Sequence, residues 1–164
     1  MKTKSLNILL VAFLLIGIFA IMLITFLGQA HEDFPKNITI DAGETTDTVF
    51  TVRDLRLSPA EYEEYTVNLV CAASGSYHIS LEYTQTRDGG MSSFVNVVVT
   101  SGDQVVYQGP LDALFQGEVV SFDGELQAKD PLPVTIRYEM PYEIGNEAQG
   151  TSSDFDVRIA IEKS

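Results

Sequence analysis

The chain of 164 residues carries 23 acidic and 10 basic side chains, a formal net charge of −13, with one cysteine and no tryptophan. Residues 31–164 hold all 23 acidic residues and 8 basic ones, which gives this part a formal charge of −15. This charge repels nucleic acid and anionic membrane surfaces and argues against both as partners. Because Cys71 is the only cysteine, no internal disulfide can form, and packing alone must stabilise the domain. We expect Cys71 to be buried on a strand, with an intermolecular disulfide as the alternative.

Residues 1–30 predict either a signal peptide or an N-terminal membrane anchor. Residues 8–27 are an uncharged apolar run that follows Lys2 and Lys4, and a run of this length can cross a bilayer as a helix. Residues 28–30 (Gly-Gln-Ala) offer small residues for cleavage, although the run is longer than the apolar core of most signal peptides. Both interpretations place the rest of the chain outside the cell or on its surface. If the leader is not cleaved, residues 8–27 attach the protein to the membrane.

Residues 31–48 are polar and predict a linker, a loosely held first strand or a donor segment for another copy. Ile38 and Ile40 are their only alternating apolar pair. From residue 49 onward, alternation with period two predicts a β-sandwich domain at residues 49–164. In its first half we expect strands at residues 49–53, 55–57, 62–70 (with a bulge), 77–85, 94–100 and 104–107, with residues 87–90 as a loop.

In the second half, residues 111–115 predict one helical turn. Residues 118–122 and 125–128 predict two short strands on either side of Asp123 and Gly124, and strands follow at residues 134–140 and 154–162. Residues 145–153 predict a solvent loop that crosses between the sheets. The expected fold is therefore all-β: an antiparallel β-sandwich of jelly-roll or Ig-like type, preceded by an N-terminal hydrophobic helix.

The sequence offers no catalytic, cofactor-binding or metal site. A zinc protease needs paired histidines on a helix, whereas His31 lies in the polar segment and His78 on the polar face of a strand. His78 could meet Cys71 across a hairpin, but no third group completes a nucleophilic triad. We therefore expect a non-enzymatic protein without a cofactor.

Acidic residues raise the question of calcium, which prefers several carboxylate and carbonyl oxygens. Asp154 and Asp156 share one strand face, and residues 123–125 and 88–90 form oxygen-rich turns. A structural calcium site is one interpretation of these residues. A solvated acidic face is the other, and we prefer it because no calcium-loop motif is present.

Three stretches resemble a known family in order and in turn chemistry. They are "LRLSPAEYEEYTVNLVCAASGSYHISLEY", "VVYQGPLDALF" and "VTIRYEMPYEIGNEAQGTSSDFDVRIAIEKS", and the resemblance covers about residues 55–161. The last of them, with a strand, a proline, "GNEAQG" and a final strand, is the most specific. Together with the apolar leader they resemble the TasA and camelysin family of SipW-dependent secreted bacterial proteins.

This resemblance implies a jelly-roll-like β-sandwich on the bacterial surface or in a biofilm matrix, where it forms or decorates fibres. Camelysins are classed as metallopeptidases, but no metal triad in this sequence supports that activity. Self-association by strand addition is expected, with residues 31–52 as the candidate donor.

The alternative function is a membrane-tethered ectodomain that binds a surface protein or a glycan through its loops. An exposed aromatic patch would favour it, and four tyrosines are candidates for that patch: Tyr62, Tyr65, Tyr83 and Tyr142.

Overall fold

The computed structural model describes residues 32–164. The predicted leader and hydrophobic helix at residues 1–30, and His31, lie outside the described residues. The strands are β1 (Glu32–Asp33), β2 (Asn37–Ala42), β3 (Thr45–Leu55), β4 (Tyr62–Cys71), β5 (Gly75–Gly89), β6 (Asn96–Ser101), β7 (Gln104–Pro110), β8 (Val120–Leu126), β9 (Leu132–Glu139) and β10 (Ser152–Lys163). The helices are the 3-10 helix Met91–Phe94, the α-helix α1 (Leu111–Phe115) and the 3-10 helix Tyr142–Ala148. Over residues 32–164, every helix is too short or too polar to cross a membrane.

Two five-stranded sheets form a β-sandwich, which confirms the predicted fold class at this level. Sheet A has the order β1-β3-β10-β5-β8 and sheet B the order β2-β4-β9-β6-β7. The alternation predicted for β5 and β10 is confirmed, because one face of each strand lies in the core. These buried side chains are Tyr77, Ile79, Leu81, Tyr83, Phe155, Val157, Ile159 and Ile161.

Aromatic rings fill the middle of the core, where the two sheets face each other. The Phe155 ring lies 5.3 Å from that of Tyr138 and 6.1 Å from that of Tyr83, between ring centroids. Phe115, at the end of α1, covers Phe155 at 5.5 Å. The helical turn predicted for residues 111–115 is therefore present, and it contributes a ring to the core.

The sandwich begins earlier than the sequence predicted, and it is not purely antiparallel. The sequence analysis offered a linker, a loosely held first strand or a donor segment for residues 31–48, and the structure has strands β1 and β2 within residues 32–42. Strand β1 pairs in parallel with β3, and β2 pairs in parallel with β4 over Asn37–Ala42. The other pairs of named strands are antiparallel.

Two predicted irregularities are wrong. The bulge expected in residues 62–70 is absent, since β4 and β9 keep one register from Tyr62 to Leu69. The loop expected at residues 87–90 is instead largely strand, because β5 continues to Gly89. Glycine is required there: a Cβ on Gly89 would collide with the carbonyl oxygen of Ser152 and lie 2.9 Å from its Oγ.

The crossing between the sheets at residues 145–153 is more ordered than predicted. The 3-10 helix Tyr142–Ala148 covers its first half, and Ala148 is buried. Ser152 and Ser153 are also buried, because β10 already begins at Ser152. The segment does connect sheet B to sheet A, but only part of it is a solvent loop.

The turn predicted at Asp123 and Gly124 is also wrong, because β8 runs through both residues. Gly124 pairs with Tyr77 of β5. A Cβ at this position would lie 3.2 Å from Cδ1 of Ile79 and 3.3 Å from Cδ2 of Leu132. Gly124 is therefore explained by close packing under the strand and not by a turn.

We expect Gly124→Ala to lower the free energy of unfolding by about 1–2 kcal/mol, because the added methyl group overpacks the core. Gly43→Ala is the matched control, since its Cβ would meet only Oγ1 of Thr46, at 3.7 Å. Its expected change is within about 0.5 kcal/mol. Urea unfolding followed by circular dichroism measures both variants, and equal stabilities would contradict the packing explanation.

Candidate functional site

The N-terminal strands form an edge that crosses from one sheet to the other. We call residues 32–42 the edge segment. Its first part lies beside β3, where the amide of Phe34 donates to the carbonyl of Thr51 at 2.7 Å. Its second part lies beside β4, where the amide of Thr66 donates to the carbonyl of Lys36 at 2.9 Å. A single segment therefore borders both sheets on the same side of the sandwich.

Phe34 anchors the edge segment in the core. Its ring stacks on Phe50 of sheet A at 4.8 Å and on Tyr65 of sheet B at 4.7 Å, between centroids. Only 6% of Phe34 is exposed. Ile40 and Ala42 are buried as well. The segment is thus held by apolar contacts as well as by backbone hydrogen bonds.

Beside the edge segment, part of β3 is an open sheet edge within residues 32–164. Strand β1 pairs only with Phe50 and Thr51, which leaves the outer edge of residues 45–49 without a partner strand in this range. A groove of about 420 Å³ runs along this opening, with Ile38 and Thr48 among its lining residues. Val49, on the outer face of β3, is 40% exposed. An unpaired, partly apolar edge can accept another strand.

A second candidate surface is the end of the sandwich where the β3–β4 loop meets the crossing from β9 to β10. One cleft of about 360 Å³ lies between Arg56 and the turn containing Asn146 and Gln149. A neighbouring cleft of about 450 Å³ shares Arg56 and extends to Tyr62. Arg56 is paired with Asp54 at 2.9 Å. The second cleft is lined mainly by polar groups, whereas the first has polar and apolar lining in similar amounts.

The predicted aromatic patch is only half correct. Tyr62 and Tyr142 are 60% and 77% exposed, whereas Tyr65 and Tyr83 are buried. The guanidinium carbon of Arg137 lies 4.5 Å from the centroid of the Tyr62 ring. The sequence pattern could not separate these tyrosines, because each lies near a strand end or in an alternating run.

Asp154 and Asp156, considered above as calcium ligands, are engaged by other side chains. Oδ2 of Asp154 is 3.0 Å from Nε of Arg87, and the hydroxyl of Thr51 donates to Asp156 at 2.7 Å. Over residues 32–164, no three histidine, cysteine or acidic side chains come together in a way that could hold a metal ion.

His78 and Cys71 do not form a catalytic pair. Cys71 is buried at the end of β4 in sheet B, whereas His78 is exposed on β5 in sheet A. Nδ1 of His78 lies 2.8 Å from Oδ1 of Asp123. Asp88, also considered above for calcium, accepts a hydrogen bond from the amide of Gly90 at 2.8 Å.

The sequence analysis missed two contacts, the stacking of Phe34 in the core and the stacking of Arg137 on Tyr62. Phe34 is an isolated aromatic residue in a polar run directly before Pro35, which is a usable signal for a buried anchor. Arg137 gave no signal, because its stacking on Tyr62 depends on the register between β4 and β9.

Comparisons with known proteins add little to this geometry. No family model matches the chain, and no curated protein matches it. Among solved structures, it is similar to PliG, a periplasmic inhibitor of g-type lysozyme from Aeromonas hydrophila (13% identity, 77% of this chain and 98% of that one, TM-score 0.34). It is also similar to the C-terminal CBM6 of the laminarinase LamC from Zobellia galactanivorans (13% identity, 73% of this chain and 99% of that one, TM-score 0.36). FlhE is a third similar structure (12% identity, 74% of this chain and 100% of that one, TM-score 0.40). TM-scores this low support no functional argument, and the fold assignment depends on the two sheets described above.

Proposed function

We propose that the protein is a non-enzymatic, exported β-sandwich that assembles into fibres by exchanging its edge segment between copies. We further propose that it belongs on the bacterial surface or in the extracellular matrix, in the manner of the TasA and camelysin family. The single observation that carries the proposal is the edge segment itself. It borders both sheets, and its largest core contact is the ring of Phe34.

The strand order supports a jelly roll as the finer description of the fold. Counting β3 to β10 as strands one to eight, sheet A has the order 1-8-3-6 and sheet B the order 2-7-4-5. This is the order that two nested Greek keys produce when they form a jelly roll. The edge segment is then an addition to the eight-stranded unit, which makes its exchange compatible with an intact sandwich.

The hinge and the edge favour exchange. Only Gly43 and Glu44 separate β2 from β3, and short hinges of this kind promote swapping of the preceding element. If these two residues extend, the edge segment of one copy can take the same place on β4 of the next. The identical contacts are then made between chains, so assembly requires little new interaction energy.

Disulfide trapping tests the exchange directly. Asn37 and Thr66 are register partners in β2 and β4. We expect Asn37→Cys/Thr66→Cys, in a Cys71→Ala background, to give a ladder of covalent oligomers on non-reducing gels once light scattering shows assembly. The chain is purified at full length in mild detergent, and higher salt should promote assembly because it screens the acidic domain.

The matched control is Thr84→Cys/Asp156→Cys in the same background, since this pair joins β5 and β10 in the middle of sheet A. Its crosslink should stay within one chain in every state. If the Asn37→Cys/Thr66→Cys variant, like the control, forms only intramolecular crosslinks in assembled material, strand exchange is ruled out. Unchanged light scattering at all concentrations would remove fibre formation altogether.

A second candidate function is a tethered ectodomain that binds a surface protein or a glycan. The adjoining clefts at Arg56 and the exposed rings of Tyr62 and Tyr142 favour it. N-terminal sequencing of the natural product separates the two locations. A start at His31 means release into the matrix, and an intact Met1 means attachment to the membrane.

A further inference from the structure

The outer faces of the two sheets differ sharply in charge. Sheet A presents acidic residues along its central strands, with Arg158 held between Asp47 at 2.6 Å and Glu82 at 3.1 Å. The hydrogen bond from Arg158 lowers the pKa of Asp47, so this carboxylate stays charged. The centre of sheet B has one ion pair, between Arg137 and Glu64 at 3.0 Å. Glu139, the register partner of Tyr62, adds one carboxylate at the border of this face. In a chain with a net charge of −13, the outer face of sheet B thus has a centre that is nearly neutral.

Threonines form a row across the centre of this face. Thr66 of β4 is the register partner of Thr135 in β9, and Thr135 is the partner of Thr100 in β6. Thr66 and Thr135 each lie between two buried residues and Thr100 follows the buried Val99, so the three threonines point outward and are partly exposed. Strands lie about 4.8 Å apart, so the three hydroxyls span about 10 Å. We call this surface, together with the Tyr62 corner, the threonine face.

An aromatic group lies on the same face, two outward positions before Thr66 on β4. Arg137 stacks on Tyr62, and its Nε and one terminal nitrogen both donate to Oε2 of Glu64, at 3.1 and 3.0 Å. The stacking and the ion pair together restrict the side chains before any ligand arrives. Tyr62 nevertheless keeps 60% of its surface exposed. The corner therefore combines an open ring with fixed donors.

The charge of the domain and the area of the threonine face limit which partners this surface can bind. An anionic polymer is repelled by the acidic domain, whereas a neutral one is not. Four to five strands and four outward residues per strand give a face of about 20 by 20 Å, or about 400 Å². Two copies meeting here bury about 800 Å² in total, which is below the range of stable protein interfaces. A single polysaccharide chain needs less area and uses neutral hydroxyl contacts.

We propose that the threonine face binds an uncharged polysaccharide, with a sugar ring against Tyr62 and sugar hydroxyls bonded to the threonine row. Sugar rings carry apolar C–H faces and neutral hydroxyls, which match an amphipathic ring beside a row of hydroxyl donors and acceptors. The inference gives a ligand class to the second candidate function and is independent of strand exchange. For a matrix protein it supplies adhesion between the protein and the neutral polymer around it.

Affinity gel electrophoresis of the full chain in mild detergent tests the proposal. The gels contain hydroxyethyl cellulose, dextran or galactomannan as neutral probes, and alginate as the anionic one. We expect at least one neutral polymer to retard the protein, equally at low salt and at about 0.5 M salt, where charge effects are screened. Alginate should leave its mobility unchanged. If no neutral polymer retards the protein, the proposal is overturned.

Isosteric variants identify the surface. Thr66→Val/Thr135→Val keeps the shape of the β-branched side chains and removes two hydroxyls, so binding should weaken about tenfold. Tyr62→Ala should weaken it by a similar factor, through loss of the ring. The matched control, Thr45→Val/Thr84→Val, changes two exposed threonines of sheet A and should bind within about twofold of the wild type.

Three results separate the possible occupants. If Thr66→Val/Thr135→Val and Thr45→Val/Thr84→Val weaken glycan binding equally, the glycan binds elsewhere and the proposal is overturned. Dimerisation of the wild type that Thr66→Val/Thr135→Val abolishes, while glycan binding is unchanged, identifies the face as a contact between copies, which also overturns it. Light scattering on the same samples reports fibre assembly separately, so a wild-type protein that assembles normally but binds no neutral glycan counts against this inference alone.

Discussion

Replacing Phe34 with alanine is expected to lower the free energy of unfolding by about 3 kcal/mol. The ring is 6% exposed and stacks on one aromatic residue from each sheet, Phe50 and Tyr65, so its removal leaves a cavity at the sandwich edge. The edge segment then loses its main core contact. We therefore also expect faster amide hydrogen exchange in Asn37–Ala42. Urea unfolding and exchange mass spectrometry measure the two effects.

The matched control is Phe122→Ala on β8, at the opposite edge of sheet A. Phe122 is only partly buried against the core, so its loss should cost about 1 kcal/mol and leave exchange in β2 unchanged. If Phe34→Ala is no more destabilising than the control, the ring does not anchor the edge segment. The strand-exchange proposal then loses the contact on which it depends.

We expect strong alkali to unfold the protein by ionising two tyrosines of the core. Burial raises the pKa of Tyr83 and of Tyr138 above the ordinary 10.0, since a phenolate has no water around it there. The nearby Tyr83 hydroxyl raises the pKa of Tyr138 further, and within the described residues neither hydroxyl has a hydrogen bond of good geometry. Ionisation of either tyrosine therefore favours the unfolded chain.

The pH range follows from the sign of these shifts. A folded pKa above the unfolded value means that the stability is complete below pH 10 and is lost as the pH rises towards the folded pKa. Each of the two tyrosines should remove about 1.4 kcal/mol per pH unit above 10. Tyrosinate absorbance and circular dichroism should change together on titration. Tyr138→Phe should move the transition to higher pH, and an unchanged transition would contradict the assignment.

The sequence predicted those parts of the fold that depend on local alternation. Strand β10 is an example: Phe155, Val157, Ile159 and Ile161 alternate without interruption, and all four are buried. The helical turn at Leu111–Phe115 also followed from a local signal, because Pro110 ends the preceding strand. Such patterns depend on neighbours two to four residues away, which a single sequence displays.

The contacts that carry the proposals depend on partners far apart in the chain. Strand β2 alternates over only six residues within a polar segment and pairs in parallel, so no hairpin turn marks its partner strand. The threonine row arises only when Thr66, Thr100 and Thr135 are brought into register. Gly124 resembled a turn residue because the close approach of Leu132 is not visible in the sequence.

The position of β10 sets the time at which sheet A can form. Strands β3 and β5 both pair with β10 and not with each other, so β1-β3 and β5-β8 stay separate until residues 152–163 have been synthesised. Sheet A of a nascent polypeptide of this order is therefore incomplete throughout translation. That property suits a polypeptide that a secretion channel must thread across a membrane before it folds.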